Sequence, residues 1–304
     1  MNVAVIGSGR MGSQIGCEYA LAGHDVVFVA RRPDEARRRV ADALDLVVQF
    51  DLAPATVVNA ARARMRVVDD IAESGADTGV VVESIVEDIQ AKGEVLAAAA
   101  RQAPLAILAT NTSSLSITAL GEAAGAPTRT VGVHYWNPPL LMPLVEVIAG
   151  ERTDRAVVDR MLGTLRAMGK RPVFGRDVPG FIWNRLQLAL LREAAWIVER
   201  GVATPAAVDE VVRDGLARRW RMTGPFETAA LGGVDTFTRI AANLFPELSV
   251  AGQLDDLGQW LDADPDRLEA LRVRRDAALA DDLHRDRNER DEPSRPSSGD
   301  RDGA

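Results

Sequence analysis

A histidine and a glutamate twelve residues apart are the two side chains of this sequence best suited to general acid–base chemistry. His134 begins the run His-Tyr-Trp-Asn-Pro-Pro, and Glu146 lies in the apolar stretch that follows the prolines. If the prolines turn the chain, strands at 131–136 and 144–149 lie side by side and can bring the two side chains together. A carboxylate bonded to one imidazole nitrogen fixes the tautomer, so the other nitrogen can take a proton. A single histidine on a strand is commonly structural, so the spacing alone leaves both roles open.

A glycine-rich loop near residue 7 has the spacing of a dinucleotide-binding fingerprint. The loop consists of Gly7, Ser8, Gly9, Arg10, Met11 and Gly12. It follows a short apolar strand and leads into a predicted helix at 11–22, which is the context in which this motif binds a pyrophosphate. A glycine-rich turn that merely packs well is the alternative. A dinucleotide site together with a histidine–glutamate pair suggests a dehydrogenase.

The end of the second predicted strand indicates which dinucleotide is bound. An NAD site normally has an acidic side chain there for the ribose 2'-hydroxyl, whereas this sequence has Ala30 followed by Arg31 and Arg32. Guanidinium groups without a carboxylate favour the 2'-phosphate of NADP. We therefore expect NADP(H) as cofactor, with NAD(H) as the alternative if the arginines only form a solvated helix start.

Strands and helices that alternate along the first half of the chain predict an α/β fold. Apolar runs typical of strands lie at 3–7, 25–30, 66–68, 80–83, 105–109, 131–135 and 170–174. Such alternation indicates a Rossmann-type doubly wound parallel sheet. After residue 180 the pattern is helical, so we predict a nucleotide-binding domain at 1–178 and an all-α substrate and dimerisation domain at 179–283. Residues 284–304 are polar and are predicted to form a disordered tail.

Composition and charge argue against several classes of protein. The net charge of -8 opposes a nucleic-acid partner, whose phosphates require a basic surface. No apolar run reaches the roughly 18 residues of a membrane span, and no signal peptide is recognisable, so we expect a cytoplasmic protein. Cys17 is the single cysteine, so neither an internal disulfide nor a metal site is expected. The helix predicted at 181–200 is apolar nearly all round in its first half, which favours a symmetric homodimer.

Several motifs, in order along the chain, resemble the L-3-hydroxyacyl-CoA dehydrogenase family. They are the glycine loop, residues 82–87, Asn111-Thr112-Ser113-Ser114, residues 134–139, Glu146, residues 179–185 and residues 223–227. The similarity runs from Val3 to about Asp235. It implies an NAD(P)-dependent dehydrogenase that acts on a secondary alcohol beta to a carboxyl or thioester carbonyl.

The resemblance also implies a role for individual residues. His134 matches the general base and Glu146 its partner. Ser113 and Asn184 match residues that hold the 3-oxygen and the neighbouring carbonyl of a small-molecule substrate. The positions that match residues lining the nicotinamide end of the cofactor are Glu87, Lys92 and Asn111.

Three stretches in the second half of the chain are Asn184-Arg185-Leu186-Gln187, Val198-Glu199-Arg200-Gly201 and Gly215-Leu216-Ala217-Arg218-Arg219. Within this family they resemble the lambda-crystallin and L-gulonate 3-dehydrogenase branch. The helix after the second predicted strand has Arg37, Arg38 and Arg39 but no lysine, whereas bacterial 3-hydroxybutyryl-CoA enzymes carry lysines there that can meet CoA phosphates. The substrate therefore stays open between a CoA ester, a carrier-bound acyl group and a free hydroxy or sugar acid. A retired enzyme that serves as a nucleotide-binding or crystallin-like structural protein is the alternative, but the intact set of matched catalytic positions argues against it.

Overall fold

An eight-stranded sheet forms the core of the first part of the chain. The computed structural model describes residues 1–254, 260 and 264–291. The strands are β1 (Asn2–Ile6), β2 (Asp25–Val29), β3 (Met65–Val68), β4 (Val80–Glu83), β5 (Ile107–Thr110), β6 (Thr130–Tyr135), β7 (Leu144–Ala149) and β8 (Arg171–Arg176). Their order across the sheet is β3-β2-β1-β4-β5-β6-β7-β8, and all neighbours are parallel except β6 and β7. The predicted Rossmann-type doubly wound sheet is confirmed.

The strands form where the sequence has short apolar runs. Both β4 and β5 are buried along their whole length, as expected for strands with helices on both faces of the sheet. The sequence predicts that β5 begins at Leu105, but this side chain is 90% exposed. Leu105 lies in a turn in which the Ala106 amide donates a hydrogen bond to the Ala103 carbonyl, so the strand begins only at Ile107.

Helices connect the parallel strands of this sheet. They are α1 (Arg10–Leu21), α2 (Pro33–Gln49), α3 (Ala55–Ala63), α4 (Ile89–Gln102), α5 (Ile117–Ala123) and α6 (Arg155–Ala167). The helix predicted at 11–22 is confirmed as α1, and the predicted helix that carries Arg37, Arg38 and Arg39 is α2. The sequence pattern does not predict α3, because this short segment buries only Val58 and Ala61.

Contacts within the chain divide it into two units. The first comprises Met1–Ile182 with the described residues of Glu269–Ala304, and the second comprises Trp183–Leu268. The second unit is helical, as predicted, and Thr204 caps the helix that Pro205 begins. Its helices are α7 (Trp183–Glu199), α8 (Pro205–Glu210), a π-helix (Val211–Ala217), α9 (Arg218–Trp220), α10 (Pro225–Leu231) and α11 (Val234–Leu244).

The last helix, α12 (Pro265–Asp291), corrects the predicted domain boundary and tail. His284 Nε2 lies 2.8 Å from the Phe50 carbonyl oxygen, and the Arg287 guanidinium donates to the Leu52 carbonyl at 2.8 Å. These contacts satisfy carbonyls at and after the end of α2, a source of order that the polar composition of the segment does not reveal. The predicted disorder is therefore wrong for residues 284–291, and residues 269–283 belong to the first unit. Residues 292–304 lie outside the described part of the chain.

Helix α7 is much less buried than its composition predicts. Within the single chain only Ala195 of this helix is buried, while Leu186 is 60% and Leu188 57% exposed. A single chain therefore leaves this apolar helix largely uncovered, and its burial in a symmetric dimer stays a prediction. Among the described residues, no helix has both the length and the apolar composition needed to cross a bilayer.

Candidate active site

His134 and Glu146 form a buried pair on adjacent strands. The antiparallel register of β6 and β7 places these two residues directly opposite each other. His134 Nδ1 lies 2.6 Å from Glu146 Oε2, and the two residues are only 5% and 0% exposed. The alternation of side chains along both strands makes this contact possible, because opposite residues on one face have neighbouring Cβ atoms. The geometry suits a general base with an orienting carboxylate, a role that stays a prediction.

The segment that leaves the first unit holds the other side of this pair. The Ile182 amide donates a hydrogen bond of 2.9 Å to Glu146 Oε1, so both carboxylate oxygens have partners. The Phe181 ring stands edge-on to the imidazole, with 5.8 Å between the ring centroids. Phe181 is 2% exposed and adopts a φ of 49°, in the left-handed region that a bulky residue rarely enters. This backbone turn brings the ring and the next amide onto the pair at once, a contribution that the sequence patterns do not identify.

Glu87 fixes the loop that carries Ser113. Its Oε1 accepts hydrogen bonds from the Thr112 hydroxyl at 2.5 Å, the Ser113 amide at 2.8 Å and both the amide and the hydroxyl of Ser114 at 3.0 Å. Partial burial alone would raise the pKa of Glu87, but these hydrogen bonds and the charge of Lys92 outweigh it and hold the pKa below its usual value. The resemblance assigns Glu87 to the cofactor, and the structure adds that it organises the loop of a candidate substrate residue.

Lys92 is buried in an ion pair beneath this loop. Its Nζ lies 2.7 Å from Glu83 Oε1 and 3.4 Å from Glu87 Oε2, and Lys92 is only 1% exposed. Glu83 is fully buried and also accepts a hydrogen bond of 2.6 Å from the Thr110 hydroxyl. Two carboxylates therefore surround the ammonium group and set its position. The sequence patterns assign no role to Glu83, although a glutamate at the end of an apolar strand is the signal that marks it.

Asn111 joins the strand of His134 to the end of β4. Its Oδ1 accepts a hydrogen bond of 2.9 Å from the Tyr135 amide, and its Nδ2 donates to the Ser84 hydroxyl at 3.4 Å. Tyr135 follows His134 directly, so the predicted cofactor residue Asn111 also positions the histidine backbone.

Lys170 fixes the loop that follows His134. Its Nζ donates hydrogen bonds to the carbonyl oxygens of Pro139 at 2.8 Å and Met142 at 3.0 Å. It also pairs with Glu18 at 2.7 Å, and both side chains are at least nine-tenths buried. Lys170 thus holds the turn that joins β6 to β7.

The glycine loop opens onto a cavity of about 1190 Å³ in the first unit. Gly7 has a φ of 95°, and a Cβ atom at Gly12 would lie 1.8 Å from the Gly7 carbonyl oxygen, so both positions require glycine. A Cβ at Gly9, in contrast, would meet only the Arg39 guanidinium at 3.9 Å, so this glycine borders open space. The loop can therefore let a pyrophosphate approach its backbone, and these residues fit a dinucleotide.

Most of the predicted cofactor residues line this cavity. The lining includes Gly7, Ser8, Gly9, Arg10, Met11, Ala30, Arg31, Arg32, Glu87, Asn111 and the predicted substrate residue Ser113. Gly12 packs behind the loop, and Lys92 lies buried beneath it. Asn184 is the second residue of α7 in the second unit, and its role in substrate binding stays a prediction.

Two family models match nearly the whole described chain. The NAD binding domain of 3-hydroxyacyl-CoA dehydrogenase matches residues 2–178, and the C-terminal domain of the same family matches residues 180–257. The chain belongs to the 3-hydroxyacyl-CoA dehydrogenase family. It is therefore an oxidoreductase that acts on a CH–OH group with a nicotinamide cofactor, as its family motifs predict.

Similar members of the family are named for different dehydrogenase activities. L-carnitine dehydrogenase of Streptomyces griseus is 36% identical over 92% of this chain and 79% of its own length. The 5-formyl-3-hydroxy-2-methylpyridine 4-carboxylate 5-dehydrogenase of Mesorhizobium japonicum is 34% identical over 82% of this chain and 81% of its own. A crystal structure of a 5-dehydrogenase of this name, described as an NAD+ dependent dismutase, superposes with a TM-score of 0.83 at 30% identity over 92% of this chain and 96% of the other. The resemblance to the lambda-crystallin branch stays a prediction.

Proposed function

We propose that the protein transfers hydride between a nicotinamide cofactor and the 3-hydroxy or 3-oxo group of a carboxylic acid, with His134 as general base and acid. The observation that carries this proposal is the buried 2.6 Å contact between His134 Nδ1 and Glu146 Oε2. Because Glu146 holds Nδ1, Nε2 is the nitrogen that exchanges a proton with the substrate. Neutral His134 removes the hydroxyl proton in oxidation, and its protonated form returns a proton to the 3-oxygen in reduction. The bound nicotinamide supplies the hydride acceptor or donor.

Ser113 is the proposed hydrogen-bond partner of the 3-oxygen. Its loop lines the cofactor cavity and is held by four hydrogen bonds to the Glu87 carboxylate. A fixed loop can present its hydroxyl group without reorganisation when the substrate binds, which favours the reacting geometry. Asn184 is proposed to bind the neighbouring carbonyl, on the basis of its match to the family motif.

For the cofactor we propose NAD(H), with NADP(H) as the alternative. The matching family model describes an NAD binding domain, and a similar structure is described as NAD+ dependent, which favours NAD over the NADP predicted from sequence. A physical reason lies beside Arg32, since the Glu35 carboxylate lines the same cavity and pairs with this arginine at 3.2 Å. Position 30 lacks the usual acid, but Glu35 supplies a carboxylate in the first turn of α2.

For the substrate we propose a free acid rather than a CoA ester. The arginines at the start of α2 are paired with acids of the same helix, Arg37 with Asp34 at 2.6 Å and Arg39 with Glu35 at 2.5 Å. These pairs reduce the positive charge available to the phosphates of CoA. Two similar relatives bear the names of dehydrogenases for L-carnitine and a pyridine carboxylate, which also supports this choice.

We further propose that two copies of the chain form a dimer through the second unit. In this unit Phe226 and Val250 are each 89% exposed, and Leu231 is 80% exposed. Exposed apolar area of this kind marks an association surface. A second copy can cover it by twofold symmetry, and light scattering at micromolar concentration tests this, because a particle with the mass of one chain would contradict the dimer.

Turnover by the purified protein tests the proposed function. Free 3-hydroxy acids, sugar acids and 3-hydroxyacyl-CoA esters are each supplied with NAD and with NADP, and reduced nicotinamide is followed by absorbance. We expect turnover with a free acid and NAD. Cofactor binding without turnover of any 3-hydroxy substrate would instead indicate a nucleotide-binding protein that has lost its catalytic activity.

A further inference from the structure

Glu35 occupies an unusual place at the adenosine end of the cavity. It lies in the first turn of α2, directly after the strand whose last position normally supplies the acid of an NAD site. Here the corresponding position is Ala30, the residue directly after β2, which has no carboxylate. Glu35 lines the same cavity as Ala30, and its side chain is 31% exposed.

The Glu35 carboxylate holds two arginines that line the cavity with it. Its Oε2 lies 3.2 Å from Arg32 Nη1, and its Oε1 lies 2.5 Å from Arg39 Nη2. The hydrogen bond from Arg32 and the charge of Arg39 lower the pKa of Glu35, so the group is ionised at neutral pH. An ionised carboxylate has about four acceptor positions, so two remain after both arginines are bound.

Arg39 connects this pair to the glycine loop. Its Nη1 lies 3.5 Å from the Ser8 carbonyl oxygen, and the same atom faces the open side of Gly9. The guanidinium thus lies beside the glycine loop, and Glu35 holds it there.

We propose that Glu35 is a specificity-determining residue that selects NAD(H) over NADP(H). Its two remaining acceptor positions bind a ribose hydroxyl, its charge repels a 2'-phosphate, and its pairing keeps Arg32 and Arg39 from binding that phosphate. This inference rests on the proposed function, because it concerns the cofactor of that reaction. The Glu35 carboxylate thereby replaces the acid that is missing at Ala30.

The test compares Glu35→Gln with the unmodified protein in the dissociation constants of NADH and NADPH and in kcat/KM for NAD and NADP. We expect the ratio of dissociation constants to shift toward NADPH by about tenfold or more, since a charge-assisted contact is exchanged. Adding Arg39→Ala to this variant should cancel most of the gain for NADPH. Asp34→Asn is the matched control, because it breaks the neighbouring Asp34–Arg37 pair on the same helix outside the cavity lining, and it should leave the ratio unchanged.

The dissociation constants test the role of Glu35, and turnover tests the proposed function. A ratio of dissociation constants that is the same in Glu35→Gln and in the unmodified protein would overturn the role of Glu35, whatever the turnover. Absence of turnover with every 3-hydroxy substrate would overturn the proposed function, but the binding ratio would still test Glu35. An equal shift in Asp34→Asn would show a general effect of charge on α2 and would also overturn the inference.

Discussion

The two units of the chain differ in how far they bury and satisfy their own side chains. In the first unit two pairs of ionisable side chains at the candidate site are buried, His134 with Glu146 and Lys92 with Glu83. In the second unit, large apolar side chains are exposed, and few of the described residues are buried. Those few are Ala195, Thr228 and Ser249. The first unit therefore buries the His134–Glu146 pair among its own residues, whereas the helical unit leaves large apolar side chains exposed in the single chain.

The largest effect is expected from the buried His134–Glu146 pair of the first unit. His134→Gln should lower turnover by a factor of about 100 to 10,000, the usual contribution of general acid–base catalysis. NADH binding, measured by calorimetry, should be unchanged, because His134 does not line the cofactor cavity. His24→Gln is the control, since His24 lies in the turn before β2, and it should retain full activity.

The buried Lys92–Glu83 ion pair beneath the cavity should contribute strongly to the free energy of unfolding. Lys92→Met removes the cation and leaves Glu83 buried without its ionic partner, which should lower the free energy of unfolding by roughly 3–5 kcal/mol. Arg155→Ala breaks an exposed pair with Asp159 and should cost no more than about 1 kcal/mol. Denaturant unfolding measures the loss of unfolding free energy in each variant. Equal losses in the two variants would show that burial does not determine how much an ion pair stabilises this protein.

A third prediction distinguishes the second unit from the first. Phe226→Ala removes a ring that is 89% exposed in the single chain, so it should weaken dimer formation without affecting the fold of one chain. The loss of thermal stability should then depend on protein concentration, as it does for any linked association. A loss of thermal stability that is the same at all protein concentrations would show that Phe226 stabilises the single chain and not a dimer.

The smallest effect concerns the pH dependence of the Ser113 loop. The pKa of Glu87 is lower in the folded protein than in the unfolded chain, so its ionised form stabilises the fold above the unfolded pKa. This contribution is lost as the pH falls through the lower, folded pKa. Glu87→Gln should therefore be less stable than the unmodified protein at neutral pH, and the two should converge in acid. A difference that persists in acid would mean that the hydrogen bonds, and not the charge, hold the loop.

Much of the first unit follows from local patterns in the sequence. Alternation along two strands joined by a proline turn predicts the contact between His134 and Glu146, because opposite positions share a face of the sheet. The glycine spacing predicts the loop, since the close approach of Gly12 to Gly7 leaves no room for a side chain.

Other contacts depend on residues far apart in the chain or on polar groups that carry no periodic signal. The four hydrogen bonds from the Ser113 loop to Glu87 span about 25 residues, and no pattern encodes them. His284 docks on the Phe50 carbonyl from a segment whose composition suggests disorder. The sequence also does not predict how exposed α7 is in a single chain, because an apolar helix can be covered either by its own chain or by a second copy.

Proton exchange between His134 and the substrate can be measured through the pH dependence of kcat/KM for oxidation. In the unmodified protein the rate should rise with pH as a single group loses its proton, because only neutral imidazole can act as the base. The same measurement on His134→Gln should show a low rate without that rise. An identical pH profile in the two proteins would contradict the account, because a different group would then remove the proton.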